Sequence, residues 1–360
     1  MEENIRQKKI LVCVLNWGIG HAARVIPIIR LLLKYEQIVY LASDGDALAF
    51  LRREFPDLEY CELPPYDPVY PKGNSGMMSK LLFQMPKFSS AIDQEHILVE
   101  RIVKEKRIDV VISDNRYGCY SNRVRSILIT HQINIQMPNF YGFLEPFVNY
   151  VNWRKIKRFF RVWVPDFKDD RNMTGNLSSS NTVGKRYIGQ LSRMVPMPDL
   201  EKKYDIVAVV SGPEPQRTSF ENLMRSQLYN FHGSSLLVKG KPTGSSEIKT
   251  VGRLSEVDFL DSDQLNLAME QTDMVVCRSG YSTIMDLARL GKNAILIPTP
   301  GQTEQIYLAK VLFHRGICYF KDQSDFKLAK AMAKTKLYAG FKSMNFENDI
   351  LEDVIIKMLK

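Results

Sequence analysis

The chain has 360 residues, enough for two ordinary domains that each bury a core, and its 45% hydrophobic and 25% charged residues exclude a disordered or fibrous protein. Forty-nine basic against 40 acidic residues leave a net charge of +9, which points to an anionic partner: a membrane surface, a nucleic acid or a phosphorylated ligand. No nucleic-acid motif is recognisable, and five cysteines (13, 61, 119, 277, 318) without paired spacing predict free thiols in a reducing cytoplasm and argue against structural zinc.

The apolar run ILVCVL (10–15) is too short to span a membrane and no cleavage-site pattern follows it, so it reads as a first strand. Asn16-Trp17-Gly18-Ile19-Gly20-His21 comes next, then the helical AARVIPIIRLLLKY. Gly18 and Gly20 let the backbone turn tightly and approach a ligand. His21 stands near the helix N-terminus, and an imidazole suits proton transfer near neutral pH. The third glycine of a dinucleotide fingerprint is missing, since Ala22 and Ala23 lead into Arg24. Asp44 and Asp46 are the candidates for an acid after the second strand, which keeps NAD binding as the weaker alternative.

IVYLA, LEYCEL, IDVVIS and SILIT read as further strands, with helices near 22–35, 46–53 and 90–106. This βαβα rhythm implies a parallel sheet covered on both faces. Asp114 follows the strand IDVVIS and would sit at the sheet edge facing a cleft; the alternative is an Asx-turn with Asn115. His131, in THQIN, is a second cleft-facing candidate.

In residues 141–165, Phe143, Leu144, Phe147, Val148 and Val151 recur at helical spacing, followed by Arg154, Lys155, Lys157, Arg158 and Arg161. Two readings stand: a core helix with a solvated basic end, or a membrane-surface element. MMSKLLFQMPKF (77–88) has the same character. Two prolines and a charge cluster in SRMVPMPDLEKK (192–203) mark a linker, after which DIVAVVSG restarts the strand–loop pattern. The expected division is 1–195, 196–345, and a last amphipathic helix in 346–360.

In the loop SGPEPQRTSFE, Pro213 and Pro215 remove two amide donors, and Arg217 could replace them as a phosphate ligand. Lys239, ending the strand of LLVKGKP, is a similar candidate. MVVC is then a buried strand, and Ser279, Gly280, Ser282 and Thr283 form a hydroxyl-rich turn into a short helix ending at Gly291. Free amides at a helix N-terminus beside small residues suit an anion. Asp286 lies one turn into the helix; Thr283 and Asp286 also have capping-box spacing. After the strand AILIP, PTPGQTEQ brings Glu304 and Gln305 to the strand end, where ligands sit in open α/β sheets. A sugar nucleotide needs this combination.

The turn and the PTPGQTEQ loop resemble the donor half of GT-B glycosyltransferases, in the group holding MurG and the UDP-glycosyltransferases (glycosyltransferase family 28-like in the C-terminal domain). The resemblance implies that Ser279, Gly280 and Thr283 bind the donor diphosphate, Asp286 the ribose, and Glu304 and Gln305 the hexose; Ser282, in the same turn, is a further donor-binding candidate. The group usually carries Glu at the ribose position and Gln-Gln or Asp-Gln at the hexose position. Gly18-Ile19-Gly20-His21 resembles the acceptor-side glycine loop of the same group. That likeness makes His21 the general base and an Asp, best matched by Asp114, its partner.

The strong matches cover residues 16–31 and 277–309. They imply an α/β, GT-B fold of two tandem Rossmann-like domains with a cleft between them. They also imply inverting transfer of a hexose from a nucleotide sugar, most simply a UDP-sugar, to an acceptor hydroxyl. No metal and no cofactor are expected, since no DxD-type motif occurs in a suitable context. A lipid-linked acceptor at the inner membrane face, as for MurG, would suit the basic aromatic stretch. The alternatives are a nucleotide-sugar hydrolase or epimerase, or a non-catalytic nucleotide-binding module.

Overall fold

The computed structural model describes residues 6–69, 80, 83–137, 139–179, 184–341 and 350–360. The first half runs β1 (Lys9–Val14), α1 (Ile19–Lys34), β2 (Ile38–Ser43), α2 (Gly45–Glu54), β3 (Tyr60–Glu62), α3 (Met85–Lys106), β4 (Val110–Asp114), β5 (Arg125–Ile129), α4 (Glu145–Ile156), β6 (Arg161–Val164) and β7 (Lys185–Tyr187). The second runs β8 (Ile206–Val209), α5 (Gln216–Tyr229), β9 (Ser235–Val238), β10 (Lys249–Val251), β11 (Leu254–Val257), α6 (Ser262–Glu270), β12 (Met274–Cys277), α7 (Tyr281–Arg289), β13 (Asn293–Leu296), α8 (Thr303–His314), β14 (Tyr319–Phe320) and α9 (Leu328–Thr335). A final helix, α10, spans Ile350–Leu359.

Each half forms one sheet. The first has strand order β3-β2-β1-β4-β5-β6-β7 and is parallel throughout. The second has order β10-β11-β9-β8-β12-β13-β14, with β10 alone antiparallel to its neighbour. A parallel sheet with helices on both faces needs strands that are apolar throughout. In β1, Ile10, Val12 and Val14 enter the core beneath α1, while Leu11 and Cys13 enter the opposite core with Val99 and Val103 of α3. β12 divides in the same way: Val275 and Cys277 face one layer, Met274 and Val276 the other. All five cysteines stand free.

Both sheets reverse direction of winding at their centres, between β1 and β4 and between β8 and β12. Loops leaving the carboxyl ends of strands at such a switch point diverge and leave a crevice. The chain returns to the first half at its end. Leu351, Val354, Ile355, Met358 and Leu359 of α10 join the core containing α1, and Glu352 accepts hydrogen bonds from Lys34 Nζ and Tyr35 Oη, each 2.6 Å.

The 141–165 stretch differs from the core-helix reading. Its first turn is a 3-10 segment (Asn139–Leu144), α4 ends at Ile156, and residues 161–164 are β6. Only Asn152 and Ile156 of α4 are buried. Phe143, Phe147, Tyr150 and Phe160 are exposed, at 77, 67, 55 and 58%. The apolar spacing is helical, but Leu144, Val148 and Val151 are only half-buried and Phe143 and Phe147 are exposed among the described residues. Most of 77–82 lies outside the described residues. No described helix is long and apolar enough to cross a membrane.

Candidate active site in the interdomain cleft

The loop after β1 is pinned before α1 begins. Asn16 Nδ2 donates to Asp44 Oδ2 (3.0 Å), and Asn16 Oδ1 accepts from the Ala47 amide (3.2 Å). Arg116 Nη1 donates to the other Asp44 oxygen at 2.7 Å. Asp44 is therefore a structural anchor, which removes one of the two acid candidates for a dinucleotide site; Asp46, the other, is exposed in the first turn of α2. Gly18, at φ 92°, takes the N-cap position of α1 in a conformation that side chains rarely adopt. The helix then starts at Ile19, and His21 lies in its first turn.

Asp114 is the last residue of β4 and wholly buried, and its carboxylate is committed to side chains of α1 rather than to an Asx-turn. Its Oδ1 lies 2.8 Å from His21 Nδ1. Arg24, one turn further along α1 and 2% exposed, grips both Asp114 oxygens through Nε and Nη2. Burial opposes ionisation of Asp114, but Arg24 and His21 outweigh it and hold its pKa at about 2. The His21 pKa is lowered, by burial and by the Arg24 charge, against the pull of Asp114.

The network crosses the cleft. Arg24 Nη1 is 2.9 Å from His131 Nδ1, and His131 Nε2 is 2.7 Å from Glu304 Oε1 of α8. Gln132 Nε2 donates to the other Glu304 oxygen. Arginine only donates and carboxylate only accepts. This assigns the His131 proton to Nε2, toward Glu304, with Nδ1 accepting from Arg24. The His131 ring stacks on Tyr281, the first residue of α7, at 4.1 Å and 12°. Burial tends to raise the Glu304 pKa, but His131 and the neighbouring cations bring it below the ordinary value. Glu304 thus reaches into the first domain.

On the second-domain wall, Gly280 is the N-cap of α7 and no side chain caps the helix, so Thr283 and Asp286 do not form a capping box. A capping box in this half is at α6, between Asp261 and Gln264. Ser282 Oγ donates to the Gly20 carbonyl at 2.8 Å, joining the two loops directly. Ser279 Oγ donates to the Gln305 carbonyl (2.8 Å), and Gln305 Oε1 accepts from the Thr299 amide (2.8 Å). The turn and the PTPGQTEQ loop are therefore one braced unit. Asp286 is buried and faces the linker, where Ser192 Oγ donates to its Oδ1 (2.6 Å). Burial, only partly offset by Arg193 and Ser192, pushes its pKa up to about 6.

Arg217 and Lys239 are already neutralised. Arg217 pairs with Glu214 and, at 2.7 Å, with Glu221. Lys239 pairs with Glu256 (3.1 Å) and Asp258 (3.2 Å). A residue not anticipated, Arg278, lies fully buried behind Ser279. It donates to the carbonyls of Ile297 (3.1 Å), Pro298 (3.1 Å) and Gln216 (3.2 Å), tying the loops after β8, β12 and β13 together. Burial lowers its pKa to about 9. Arg24 and Arg278 share one sequence signal: an arginine set among residues that are otherwise apolar or small. Among the described residues no three His, Cys, Asp or Glu side chains are grouped to hold a metal ion.

The family model for the glycosyltransferase family 28 C-terminal domain matches residues 206–349. This part of the chain is similar to that domain. Among curated relatives, the UDP-N-acetylglucosamine–N-acetylmuramyl-(pentapeptide) pyrophosphoryl-undecaprenol N-acetylglucosamine transferase of Shewanella pealeana is 33% identical over 93 residues, 25% of either chain. The enzyme of the same name from Prosthecochloris aestuarii is 32% identical over 79 residues, 21% of either chain. These matches span about a quarter of the relatives' length. Similarity of fold extends over both domains. Acinetobacter baumannii MurG superposes with a TM-score of 0.59 at 12% identity, covering 98% of this chain and 99% of that one. The spinosyn rhamnosyltransferase SpnG, complexed with thymidine diphosphate, gives 0.62 at 13% identity, covering 98% and 96%. The matched region therefore sits within a GT-B fold, as the glycine loop and the serine turn together implied.

Proposed function

We propose that the protein is a glycosyltransferase that moves a hexose from a nucleotide sugar, most simply a UDP-sugar, to an acceptor hydroxyl with inversion and without a metal. One observation carries the reading: the His21–Asp114 pair stands on one wall of the cleft, and the Ser279–Thr283 turn of the region that matches family 28 meets the same loop from the other. The relatives named above transfer N-acetylglucosamine from its UDP derivative, which favours a uridine donor.

In this reading the diphosphate lies against Ser279, Gly280, Ser282 and Thr283 at the N-terminus of α7. There the amides and helix dipole stabilise the charge that develops on departure. Asp286 is the ribose contact, and Glu304 and Gln305 serve the hexose, Glu304 exchanging its bonds to His131 and Gln132 for sugar hydroxyls. The acceptor oxygen attacks the anomeric carbon, and the bond to the diphosphate breaks with its electron pair leaving on the phosphate. The acceptor proton passes to His21 Nε2, while Nδ1–H remains on Asp114. Arg217 and Lys239 would reach a phosphate only by leaving their acids.

Thermal unfolding in the presence of UDP-, GDP-, CDP- and dTDP-sugars tests the donor half. A ligand bound only by the folded state raises stability by RT ln(1 + [L]/Kd), about 2.7 kcal/mol at a hundredfold excess over Kd. The expected result is stabilisation by one nucleotide family. No shift with any of them would overturn the donor site. Free sugar released without an acceptor would replace transfer by hydrolysis, and tight binding without product in any acceptor panel would leave a binding module.

A membrane-bound acceptor is the finer part of the proposal. The exposed Phe143, Phe147, Tyr150 and Phe160 stand among Arg154, Lys157 and Arg158, also exposed. Aromatic rings with basic neighbours suit an anionic interface, at about 1 kcal/mol per cation near the surface. The protein should sediment with vesicles containing anionic lipid at low salt and be released by raised salt or by replacing Arg154, Lys155, Lys157 and Arg158 with Gln. Indifference of the wild type to such vesicles would point to a soluble acceptor.

A further inference from the structure

The His21–Asp114 pair carries an addition that the pair itself does not need. A general-base histidine with an aspartate behind it gains from the aspartate's negative charge, because the charge stabilises the imidazolium. Here Arg24 takes both oxygens of that aspartate. Its Nη2 also lies 3.0 Å from His21 Nδ1. A guanidinium in this place cancels most of the field of Asp114 at the ring.

We propose that Arg24 is the positioning residue of the pair, fixing the Asp114 carboxylate in the plane that receives the His21 Nδ1 proton and keeping the imidazole neutral, so that Nε2 remains an unprotonated acceptor. The inference rests on the transferase reading for what Nε2 then does, but its geometry stands without that reading.

Three features of the arrangement support it. Arg24 is fully buried on α1, so its fork is held in place and cannot rotate to solvent as a surface arginine does. Its third contact, Nη1 to His131 Nδ1, fixes the plane of the guanidinium from the far side. The groups facing His21 are then Asp114 on β4, Arg24 on α1, and His131 after β5, with Glu304 of α8 beyond His131. With Asp114 and Arg24 both ionised, their charges offset one another at the ring. Burial then disfavours the imidazolium, in line with the lowered His21 pKa. The acceptor and the donor that converge on Nδ1, Asp114 Oδ1 at 2.8 Å and Arg24 Nη2 at 3.0 Å, also decide between tautomers. Nδ1–H to Asp114, the shorter contact, leaves Nε2 bare, whereas the reverse tautomer would set a bare Nδ1 2.8 Å from a carboxylate.

Nitrogen-15 and carbon-13 spectra of the histidine-labelled, ligand-free protein across pH 4.5–8.5 test this without any substrate. His21 is identified by the signal lost in His21→Gln. In the wild type, His21 should show the Nδ1–H tautomer and titrate below its ordinary value. In Arg24→Gln the titration should rise by about one pH unit or more, the usual effect of removing one adjacent like charge. Arg24→Lys restores the charge without the fork and should bring the titration most of the way back. A thermal melt of each variant separates loss of fold from loss of charge. The proposal is overturned if wild-type His21 carries its proton on Nε2, or titrates at or above the ordinary value. It is equally overturned if a folded Arg24→Gln leaves the titration unchanged. The wild-type arm decides even if Arg24→Gln does not fold. Because no nucleotide sugar enters the experiment, failure of the transferase reading shows up separately, in the ligand screen.

Discussion

The first-domain wall of the cleft is built from titratable and charged side chains packed against one another, His21, Asp114, Arg24 and His131, which Glu304 meets from across the cleft, whereas the second-domain wall otherwise presents hydroxyls and backbone groups where α7 begins. The two suit different tasks. Buried charges set where a proton resides, because each shifts its neighbours in a low dielectric. Amides and hydroxyls at a helix end bind an anion without needing to change protonation. The sharpest way to break this division is at His21. His21→Ala should lower turnover roughly 10²–10⁴-fold, the range for a general base, and leave affinity for the donor found in the screen almost unchanged. Asp114→Asn should cost less, since the imidazole itself remains. Steady-state kinetics with calorimetric donor binding would separate the two walls. Loss of donor affinity in His21→Ala would mean that the walls are not separable, and wild-type turnover would move the base to His131.

Asp286 is the exception on the second wall, a buried acid facing the linker, and it gives the next largest effect. Its pKa in the folded protein is about 6, above the ordinary value near 4 of an unfolded aspartate. The folded state thus holds this proton more tightly. The stability it contributes is full below pH 4 and is lost as pH rises toward 6, on the order of 3 kcal/mol in total. Asp286→Asn cannot titrate. Its stability relative to wild type should therefore improve by a similar amount between pH 4 and 7, measured by urea unfolding. A difference independent of pH would mean that Ser192 and Arg193 compensate the carboxylate more fully than its burial suggests.

The same residue decides whether the linker and the donor site share a group. Asp286→Ala should weaken donor binding by about 1–3 kcal/mol if a hydrogen bond to the ribose is lost. Unchanged affinity alongside the altered stability would leave Asp286 as the tie to Ser192 alone.

Much of this was legible in the chain because local chemistry and topology agree. The strands KILVCVL, IDVVIS and MVVC are apolar on both faces, which only a covered parallel sheet accepts, and the loop after each one begins with small or polar residues. His21 and Asp114 were readable because each stands just beyond or at the end of a strand. Three things were not. Arg24 and Arg278 sit in apolar context, and their partners are distant carboxylates or carbonyls that no spacing reveals. The stripe in 143–151 had helical periodicity, but periodicity reports which residues share a face and not whether another layer covers it. The short strands β6, β7, β10 and β14 are edge or near-edge elements of two to four residues, too short to register a period.

The smallest effect tests whether the two walls are coupled at all. Ser282 Oγ donates to the Gly20 carbonyl, and a Cβ at Gly20 would lie 3.3 Å from that hydroxyl oxygen, so the loops are nearly as close as atoms allow. Ser282→Ala removes the bond but not the contact, at a cost of about 0.5–1.5 kcal/mol for a typical neutral hydrogen bond. Gly20→Ala keeps the bond but asks the serine to retreat by a few tenths of an ångström. It also places a better helix former in the first turn of α1, worth up to about 1 kcal/mol in the opposite sense. If the cross-cleft contact holds the domains together, the double variant should show less than the sum of the two single effects, because both act on one pair of atoms. Unfolding measurements on the two single variants and the double variant give the coupling directly. Strict additivity would mean that Gly20 and Ser282 meet without sharing energy, leaving the walls joined by other contacts, among them Glu304 with His131 and Gln132, His131 on Tyr281, and Thr303 with the Gln136 carbonyl.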